Sequence, residues 1–277
     1  MNKIALGTAQ FGLDYGINNK RGKIPRREVF KILDFSLTQG IDLLDTAFAY
    51  GESEKIIGSY AKQKKDSFKI VSKLPPCHVK EIESVLDRSL KRMNSKSIYG
   101  YLIHDFGNFK KNPETLQALK KIKAEGKIDK IGFSLYYPSE LESLLWENIY
   151  FDLIQLPYSI LDQRFVRYMA RLKSMGVEIH VRSVFLQGLM FKRPGSLKGK
   201  FLKIKEKITR IRSLCDESGV PLSALCINFA VLNGFIDKVI VGIDSLDNIK
   251  EIALSSKYLD DVKKIFDKLI DFNEEDE

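Results

Sequence analysis

Four side chains of this sequence have the types and the spacing needed to move a proton onto an oxygen atom. Asp45 and Tyr50 lie in the segment DTAFAYGESE, and Lys73 and His104 each follow a short apolar run. A free phenol has a pKa of about 10, which is too high for an easy proton donor at neutral pH. A nearby ammonium group stabilises the phenolate and lowers that pKa. We therefore predict that Asp45 anchors Lys73, that Lys73 lowers the pKa of Tyr50, and that the tyrosine gives up the proton.

The elements that must position these residues are eight short apolar runs that alternate with helical segments. The runs are rich in Val, Ile and Leu and too short for helices, as is typical of parallel strands buried on both faces. We predict strands at 3–8, 42–47, 69–74, 99–105, 130–135, 152–158, 178–184 and 238–243. This alternation predicts an α/β protein, a (β/α)8 TIM barrel that forms a single domain over 1–277. Its last parts are a loop and two helices within 185–235, a C-terminal helix at about 259–271, and a frayed acidic tail.

In such a barrel the C-terminal ends of the strands carry the chemistry. Asp45, Lys73 and His104 fall at the ends of the second, third and fourth predicted strands, so they should be neighbours. Each residue also has a purely structural explanation, as a loop cap, a surface lysine and a rim histidine. Burial of a carboxylate is costly unless the carboxylate is paired, and Lys73 can supply the partner of Asp45. We therefore interpret them as one acid–base group.

Composition places further bounds on function. The chain has 277 residues, 44% hydrophobic and 29% charged, and its formal net charge is +9. The basic residues are interleaved with acids, which predicts solvated helix faces and a modest preference for an anionic small molecule. No nucleic-acid motif is present, no apolar run is long enough to span a bilayer, and no signal peptide is evident. Three cysteines without a CxxC pair indicate a reducing compartment, so we expect a cytoplasmic protein; its oligomeric state is left open.

The motifs around these residues resemble those of the aldo-keto reductases, a barrel family that reduces carbonyl groups with a nicotinamide cofactor. In family order across 3–255 they are GTAQFG, DTAFAYGESEKIIG, IVSKL, YLIHD, KIGFSL, IQLPYSILDQR and FLQGLM. The resemblance implies that Asp45, Tyr50, Lys73 and His104 form a catalytic tetrad that acts on a small-molecule aldehyde or ketone. Hydride would come from NADH or NADPH, the proton would come from Tyr50, and His104 would orient the carbonyl.

The resemblance also implies that NAD or NADP lies extended across the barrel mouth, and the sequence indeed has no GxGxxG after a strand. Thr8 would lie near the ribose, and Ser134 and Gln155 would bind the carboxamide. Residues 183–189 would pass the pyrophosphate, and 242–248 would hold the adenosine end at a helix N-terminus. The predicted cofactor contacts are Thr8, Ser134, Gln155, Arg182, Ser183, Gln187, Gly188, Gly242, Asp244, Ser245 and Asn248, and no metal ligand is predicted.

Three positions depart from the family pattern. Leu135 replaces an asparagine that holds the carboxamide in many members, and Arg182 replaces an aromatic ring that stacks on the nicotinamide. The cation of Arg182 would repel the oxidised cofactor or attract an anionic substrate group. Asp244 stands where a basic residue often binds the 2′-phosphate of NADP, yet Ser245, Asn248 and Lys250 are nearby. The choice between NAD and NADP therefore stays open.

Two other classes of function remain open at this point. Leu135 and Arg182 favour a redox-sensing or regulatory protein of the same fold that binds the nucleotide with little turnover. A metal-dependent hydrolase using Asp45 and His104 is less favoured, because Lys73 competes for the carboxylate. Arg182 and the net positive charge of the chain favour a phosphorylated or nucleotide-linked sugar as substrate. Aromatic residues of the neighbouring loops fit a sugar face, an apolar carbonyl or ordinary packing equally well; they are Phe11, Tyr15, Phe106, Phe109, Phe185 and Phe191.

Overall fold

Eight parallel strands form a closed barrel in the computed structural model, which describes residues 3–17, 19, 21–64 and 68–273. Their order around the barrel is the order along the chain, and the last strand closes on the first. This arrangement confirms the predicted (β/α)8 barrel, although most strands are a little shorter than expected. The strands are β1 (Ile4–Gly7), β2 (Leu43–Asp45), β3 (Lys69–Leu74), β4 (Ile98–Ile103), β5 (Ile128–Ser134), β6 (Leu153–Pro157), β7 (Glu178–Arg182) and β8 (Lys238–Gly242).

The strands are apolar on both faces because two layers of side chains pack against them. An inner cluster fills the barrel, while alternate residues such as Ile154 pack outward beneath the helices. The inner cluster comprises Ala5, Leu43, Val71, Leu102, Leu153 and Ile240. These inner side chains pack beneath the C-terminal ends of the strands, where the polar residues lie.

Helices surround the barrel within the described residues. They follow the strands in the predicted alternation, with α2 after β1 and α4 after β3, for example. The helices are α1 (Ala9–Gly12), α2 (Arg26–Thr38), α3 (Ser53–Ala61), α4 (Ile82–Met93), α5 (Phe106–Lys111), α6 (Glu114–Ala124), α7 (Pro138–Trp146), α8 (Val166–Ser174), α9 (Lys205–Ser218), α10 (Leu222–Leu232), α11 (Leu246–Leu254), α12 (Leu259–Lys264) and α13 (Phe266–Ile270).

The segment between β7 and β8 has the predicted loop and two helices. The loop contains short 3-10 turns, and α9 and α10 follow it. No single helix among the described residues is long and apolar enough to cross a membrane. The pair formed by α9 and α10, which is bent by 97°, meets that length and composition test only when both helices are taken together. The cytoplasmic location stays a prediction.

The C-terminal helix expected at about 259–271 is instead two short helices, α12 and α13, with a break at Ile265. Hydrogen bonds also join the end of α13 to the loop after β6. The Gln163 amide donates to the carbonyl of Ile270 at 3.1 Å, and its backbone N–H donates to Asn273 Oδ1 at 2.9 Å. The predicted frayed tail, 271–277, is wrong for its first part, because Phe272 is buried and Asn273 accepts the bond from Gln163. The remainder of the predicted tail, 274–277, lies outside the described residues.

Candidate active site

A buried ion pair lies at the C-terminal ends of β2 and β3. Lys73 Nζ donates to both carboxylate oxygens of Asp45, at 2.8 and 2.7 Å, and to the Thr46 carbonyl at 2.9 Å. Asp45 is 4% exposed and Lys73 is 1% exposed. Each charge compensates for the burial of the other, because a charge removed from water needs a partner. The predicted Asp45–Lys73 pairing is confirmed.

A third residue binds the same carboxylate from across the barrel. Gln155 Nε2 on β6 donates to Asp45 Oδ1 at 2.7 Å, and Ser134 Oγ on β5 donates to Gln155 Oε1 at 3.2 Å. This contact with Asp45 is not predicted from the sequence. Only knowledge of which residues of β2 and β6 point inward could have indicated it. The predicted contact of Gln155 and Ser134 with a nicotinamide carboxamide stays a prediction.

The loop that carries Tyr50 is seated on α1. Tyr50 donates its backbone N–H to the carbonyl of Ala47, and Ser53 donates to the carbonyl of Tyr50 in turn. A Cβ atom added at Gly12 would lie only 1.9 Å from the Tyr50 carbonyl oxygen, so only glycine permits this approach. The final glycine of the motif GTAQFG therefore helps to position the tyrosine.

Tyr50 and His104 complete the predicted group. Their rings meet edge to face with centroids 6.3 Å apart, and Lys73 Nζ lies 5.2 Å from the centroid of the Tyr50 ring. Together with Asp45 they line one cavity of about 380 Å³ at the barrel mouth. The structure thus brings the four sequence-predicted catalytic residues together.

The expected lowering of the Tyr50 pKa by Lys73 is wrong for this structure. Burial raises the pKa of the Tyr50 phenol above its usual value, and the Asp45 carboxylate raises it further. The charge of Lys73 is largely offset by the carboxylate that it binds. Arg182 is the cation that opposes the rise in the Tyr50 pKa. Tyr50 therefore holds its proton at neutral pH and releases it only to an oxygen on which negative charge develops.

His104 has the opposite shift. Burial lowers the pKa of its imidazole to about 4, with Lys73 and Arg182 lowering it further and Asp45 opposing them. The ring is therefore neutral at physiological pH. A neutral imidazole carries one N–H, so His104 can donate one hydrogen bond to a substrate oxygen without a formal charge.

We expect the His104 ring to stay neutral until the pH falls to about 4. Because the unfolded chain takes up this proton near pH 6.5, His104 should lower the stability of the folded protein as the pH falls from about 6.5 towards 4. Histidine ring NMR signals, assigned with a His104→Asn variant, measure the pKa directly. A wild-type His104 signal that titrates near 6.5 would contradict this assignment.

The predicted cofactor contacts mostly face the same cavity. All of them line it except Ser245, which instead caps α11 by accepting the Asn248 backbone N–H at 3.1 Å. Thr8 lies in the wall, but its fully buried hydroxyl donates to the Asp45 carbonyl at 2.9 Å and accepts from Ser53 at 2.8 Å. Its contact with a ribose stays a prediction. The remaining lining residues of this group are Ser134, Gln155, Arg182, Ser183, Gln187, Gly188, Gly242, Asp244 and Asn248.

The loop after β7 adopts an unusual backbone along one side of the cavity. Ser183, Leu186 and Gln187 have φ values of 67°, 48° and 56°, and Gly188 follows at 91°. Positive φ at non-glycine residues is strained, and such strain is found preferentially at functional sites. The Gln187 carbonyl accepts the Ile17 backbone N–H at 2.9 Å, which joins this loop to the loop after β1.

The part of the cavity wall that follows β8 is acidic. Asp244 and Glu251 both line it. Arg21 is bound to Glu28 at 2.9 Å and donates to the Asp244 carbonyl at 3.2 Å. Any phosphate placed here would therefore face two carboxylates.

Two of the departures from the family pattern are linked in space. The Leu135 side chain is fully buried and belongs to the outer core, and its carbonyl accepts a hydrogen bond from Arg182 Nη2 at 2.9 Å. The Arg182 guanidinium also lies over the Tyr136 ring, 4.2 Å from its centroid. Within the described part of the chain, no three His, Cys, Asp or Glu side chains are grouped as metal ligands.

A model of the Aldo/keto reductase family matches residues 3–271, so the chain belongs to that family. It is accordingly an NAD(P)-dependent oxidoreductase that acts on carbonyl or alcohol groups. The resemblance inferred from the sequence is thereby confirmed.

Several proteins are similar along nearly the whole chain. The oxidoreductase YqkF of Bacillus subtilis (strain 168) is 22% identical, with 91% of this chain and 90% of that protein covered. Pyridoxal 4-dehydrogenase of Microbacterium luteolum is also 22% identical, with 90% and 87% covered. Among solved structures, the glycerol dehydrogenase of Gluconobacter oxydans has a TM-score of 0.76 at 20% identity, with 100% of this chain and 94% of that chain covered. At this identity the likeness of the structures supports the fold alone.

Proposed function

We propose that this protein reduces an aldehyde or ketone with NADH, with Tyr50 as the proton donor. The observation that carries the proposal is the meeting of Tyr50 and His104 with the buried Asp45–Lys73 pair in one cavity. The relatives and structural neighbours include enzymes named for the oxidation of pyridoxal, L-galactose and glycerol. The same site would catalyse the reverse reaction, oxidation of an alcohol, when the alcohol is in excess.

The residues present fit a nicotinamide nucleotide. Gln10 Oε1 is buried beside Gly242, and it has no hydrogen-bond partner among the described residues. A buried acceptor of this kind is expected to bind a donor. Ser183 and Gln187 line the same wall. When bound, the reduced nicotinamide supplies the hydride that the carbonyl carbon receives.

The remaining steps belong to side chains of this chain. The His104 N–H and the Tyr50 hydroxyl both donate to the carbonyl oxygen and fix its position. As negative charge develops on that oxygen, Tyr50 transfers its proton to it, and the resulting phenolate is reprotonated from solvent. Asp45 binds Lys73, and Gln155 binds the Asp45 carboxylate in turn. The two charges near Tyr50 are therefore held in fixed positions.

The experiment that tests this proposal follows NADH consumption with a panel of short aldehydes and ketones. The expected result is carbonyl-dependent oxidation of NADH that Tyr50→Phe slows by about 10²-fold or more. Tight NADH binding without turnover of any carbonyl would instead favour the redox-sensing or regulatory alternative.

The preference for NADH rests on the acidic end of the cavity. If Asp244 accepts the ribose hydroxyls and repels a 2′-phosphate, Asp244→Arg should shift the ratio of the two dissociation constants towards NADPH. We expect a shift of about tenfold or more, since one charge-assisted hydrogen bond contributes about 1.5–3 kcal/mol. Fluorescence titration with NADH and NADPH measures both constants.

The matched control for this substitution is Asp247→Arg. Asp247 lies in the first turn of α11, its side chain is 94% exposed, and it does not line the cavity. The same change of charge there should leave the ratio near its wild-type value. Equal shifts in the two variants, or no shift in either, would remove Asp244 from cofactor selection.

A further inference from the structure

We infer that the carbonyl substrate carries a carboxylate or a phosphate group, and that Arg182 binds this anion beside the reacting carbonyl. The inference rests on the proposed reduction and names the substrate class of that site. It arises from the position, the hydrogen bonds and the unbalanced charge of one guanidinium group.

Arg182 is held in place by neutral groups only. It ends β7 and is partly exposed to the cavity. Nη2 donates to the Leu135 carbonyl at 2.9 Å, Nη1 donates to Ser183 Oγ at 3.3 Å, and the ring of Tyr136 covers one face. A guanidinium has five N–H donors, so these two bonds leave three for a ligand.

Its charge has no counter-charge in the described part of the molecule. Two other half-buried arginines are paired with carboxylates, whereas the polar contacts of Arg182 are a carbonyl and a hydroxyl. Arg212 is also half-buried and donates to two backbone carbonyls, but it does not line either cavity. A partly buried cation without a partner is unfavourable, and a bound anion would remove that penalty. The paired examples are Arg92 with Glu54 and Arg164 with Asp162.

Arg182 is also the cation that dominates the reactive part of the cavity. Lys73, the other cation there, is bound to both oxygens of Asp45, and the lowered pKa of His104 keeps that ring neutral. Asp244 belongs to the predicted adenosine end at 242–248, and Glu251 follows it on α11. An anion that enters near Tyr50 therefore meets a net positive charge from Arg182.

The surroundings leave room for such a ligand. Arg182, Ser183 and Tyr136 lie in the wall between the main cavity and a second one of about 520 Å³. The Tyr136 ring packs against the guanidinium and helps to hold it in place. A guanidinium held in this way is suited to bidentate binding of a carboxylate or phosphate. A substrate can thus present its carbonyl to Tyr50 while its anionic group binds Arg182.

The test compares matched pairs of carbonyl compounds with and without a negative charge. The pairs are D-glyceraldehyde 3-phosphate with D-glyceraldehyde, and succinic semialdehyde with butanal. We expect wild-type kcat/KM to be at least about tenfold higher for the charged member of one pair, which also tells phosphate from carboxylate. Arg182→Met should remove that preference, so that kcat/KM falls at least about tenfold more for the charged member than for the neutral one, and Arg182→Lys should keep part of it.

Arg167→Met is the matched control. Arg167 lies on α8 with its guanidinium 4.8 Å from the centroid of the Tyr168 ring, but its side chain is 70% exposed and lies outside both cavities. This variant should keep the wild-type preference. Equal wild-type kcat/KM within both pairs would overturn the inference, as would an equal loss on charged and neutral substrates in Arg182→Met.

Calorimetric titration separates this inference from the proposed reduction. Glycerol 3-phosphate and succinate are expected to bind the wild-type protein more tightly than glycerol and butanol, and Arg182→Met should abolish the difference. That result would support the anion site even if no carbonyl were reduced. A large loss of NADH affinity in Arg182→Met, without Arg182-dependent binding of these anions, would assign the guanidinium to the nucleotide pyrophosphate and overturn the inference.

Discussion

Replacing Tyr50 with phenylalanine is expected to lower kcat by about 10²–10⁴-fold, the usual contribution of a positioned general acid. The variant keeps the ring that meets His104 edge to face and lies near Lys73, and it loses only the hydroxyl. The affinity for NADH should therefore change little. Stopped-flow measurement of NADH oxidation gives kcat, and a fluorescence titration gives the affinity.

Tyr150→Phe provides the control for the loss of a tyrosine hydroxyl. Tyr150 is 56% exposed and lies outside both cavities, so its removal should leave kcat unchanged. If Tyr50→Phe retained the wild-type kcat, another group would have to donate the proton. A loss of NADH affinity that accounts for the whole defect would likewise place Tyr50 in binding rather than in proton transfer.

The second large effect is expected at the buried ion pair. Lys73→Met leaves the Asp45 carboxylate 4% exposed and held only by Gln155 among its side-chain donors. Breaking a buried pair in this way costs about 3–5 kcal/mol. For a chain of this size, we therefore expect the Tm to fall by about 10 °C and activity to be lost. Thermal unfolding followed by circular dichroism measures the first effect.

Two variants show whether that loss comes from an uncompensated charge. Asp45→Asn combined with Lys73→Met removes both charges, so it should recover most of the Tm but none of the activity. Lys264→Met breaks an exposed pair with Asp261, in which the side chains are 73% and 46% exposed, and should hardly change the Tm. A wild-type Tm for Lys73→Met alone would show that the buried pair contributes nothing to stability.

The fold and the proximity of Asp45, Lys73 and His104 could be predicted because each depends on local signals. Apolar runs such as that of β3 indicate buried strands, and the barrel rule then brings Asp45, Lys73 and His104 to neighbouring strand ends. The break at Ile265 was not predictable in the same way. The helix after this break is hydrogen-bonded to Gln163, a residue far away in the sequence.

The electrostatics of the site required three-dimensional information. The sequence predicts that the ammonium of Lys73 lies near Tyr50 and lowers the Tyr50 pKa. The direction of the shift depends instead on the burial of Tyr50 and on the neutralisation of Lys73 by Asp45. The bond from Gln155 to Asp45 crosses the barrel, and the bond from Arg182 to the Leu135 carbonyl depends on side-chain direction. Neither bond leaves a pattern in the sequence.

An equilibrium titration of the wild-type protein with NADH and with NADPH, followed through the emission of the nicotinamide, tests directly whether the cavity binds the cofactor. Trp146 is 87% exposed and does not line the cavity, so the nucleotide is the better reporter. We expect saturable binding of NADH that is tighter than that of NADPH, is competed by NAD⁺, and persists in Tyr50→Phe. Failure of both nucleotides to bind would contradict a nicotinamide nucleotide site in this cavity.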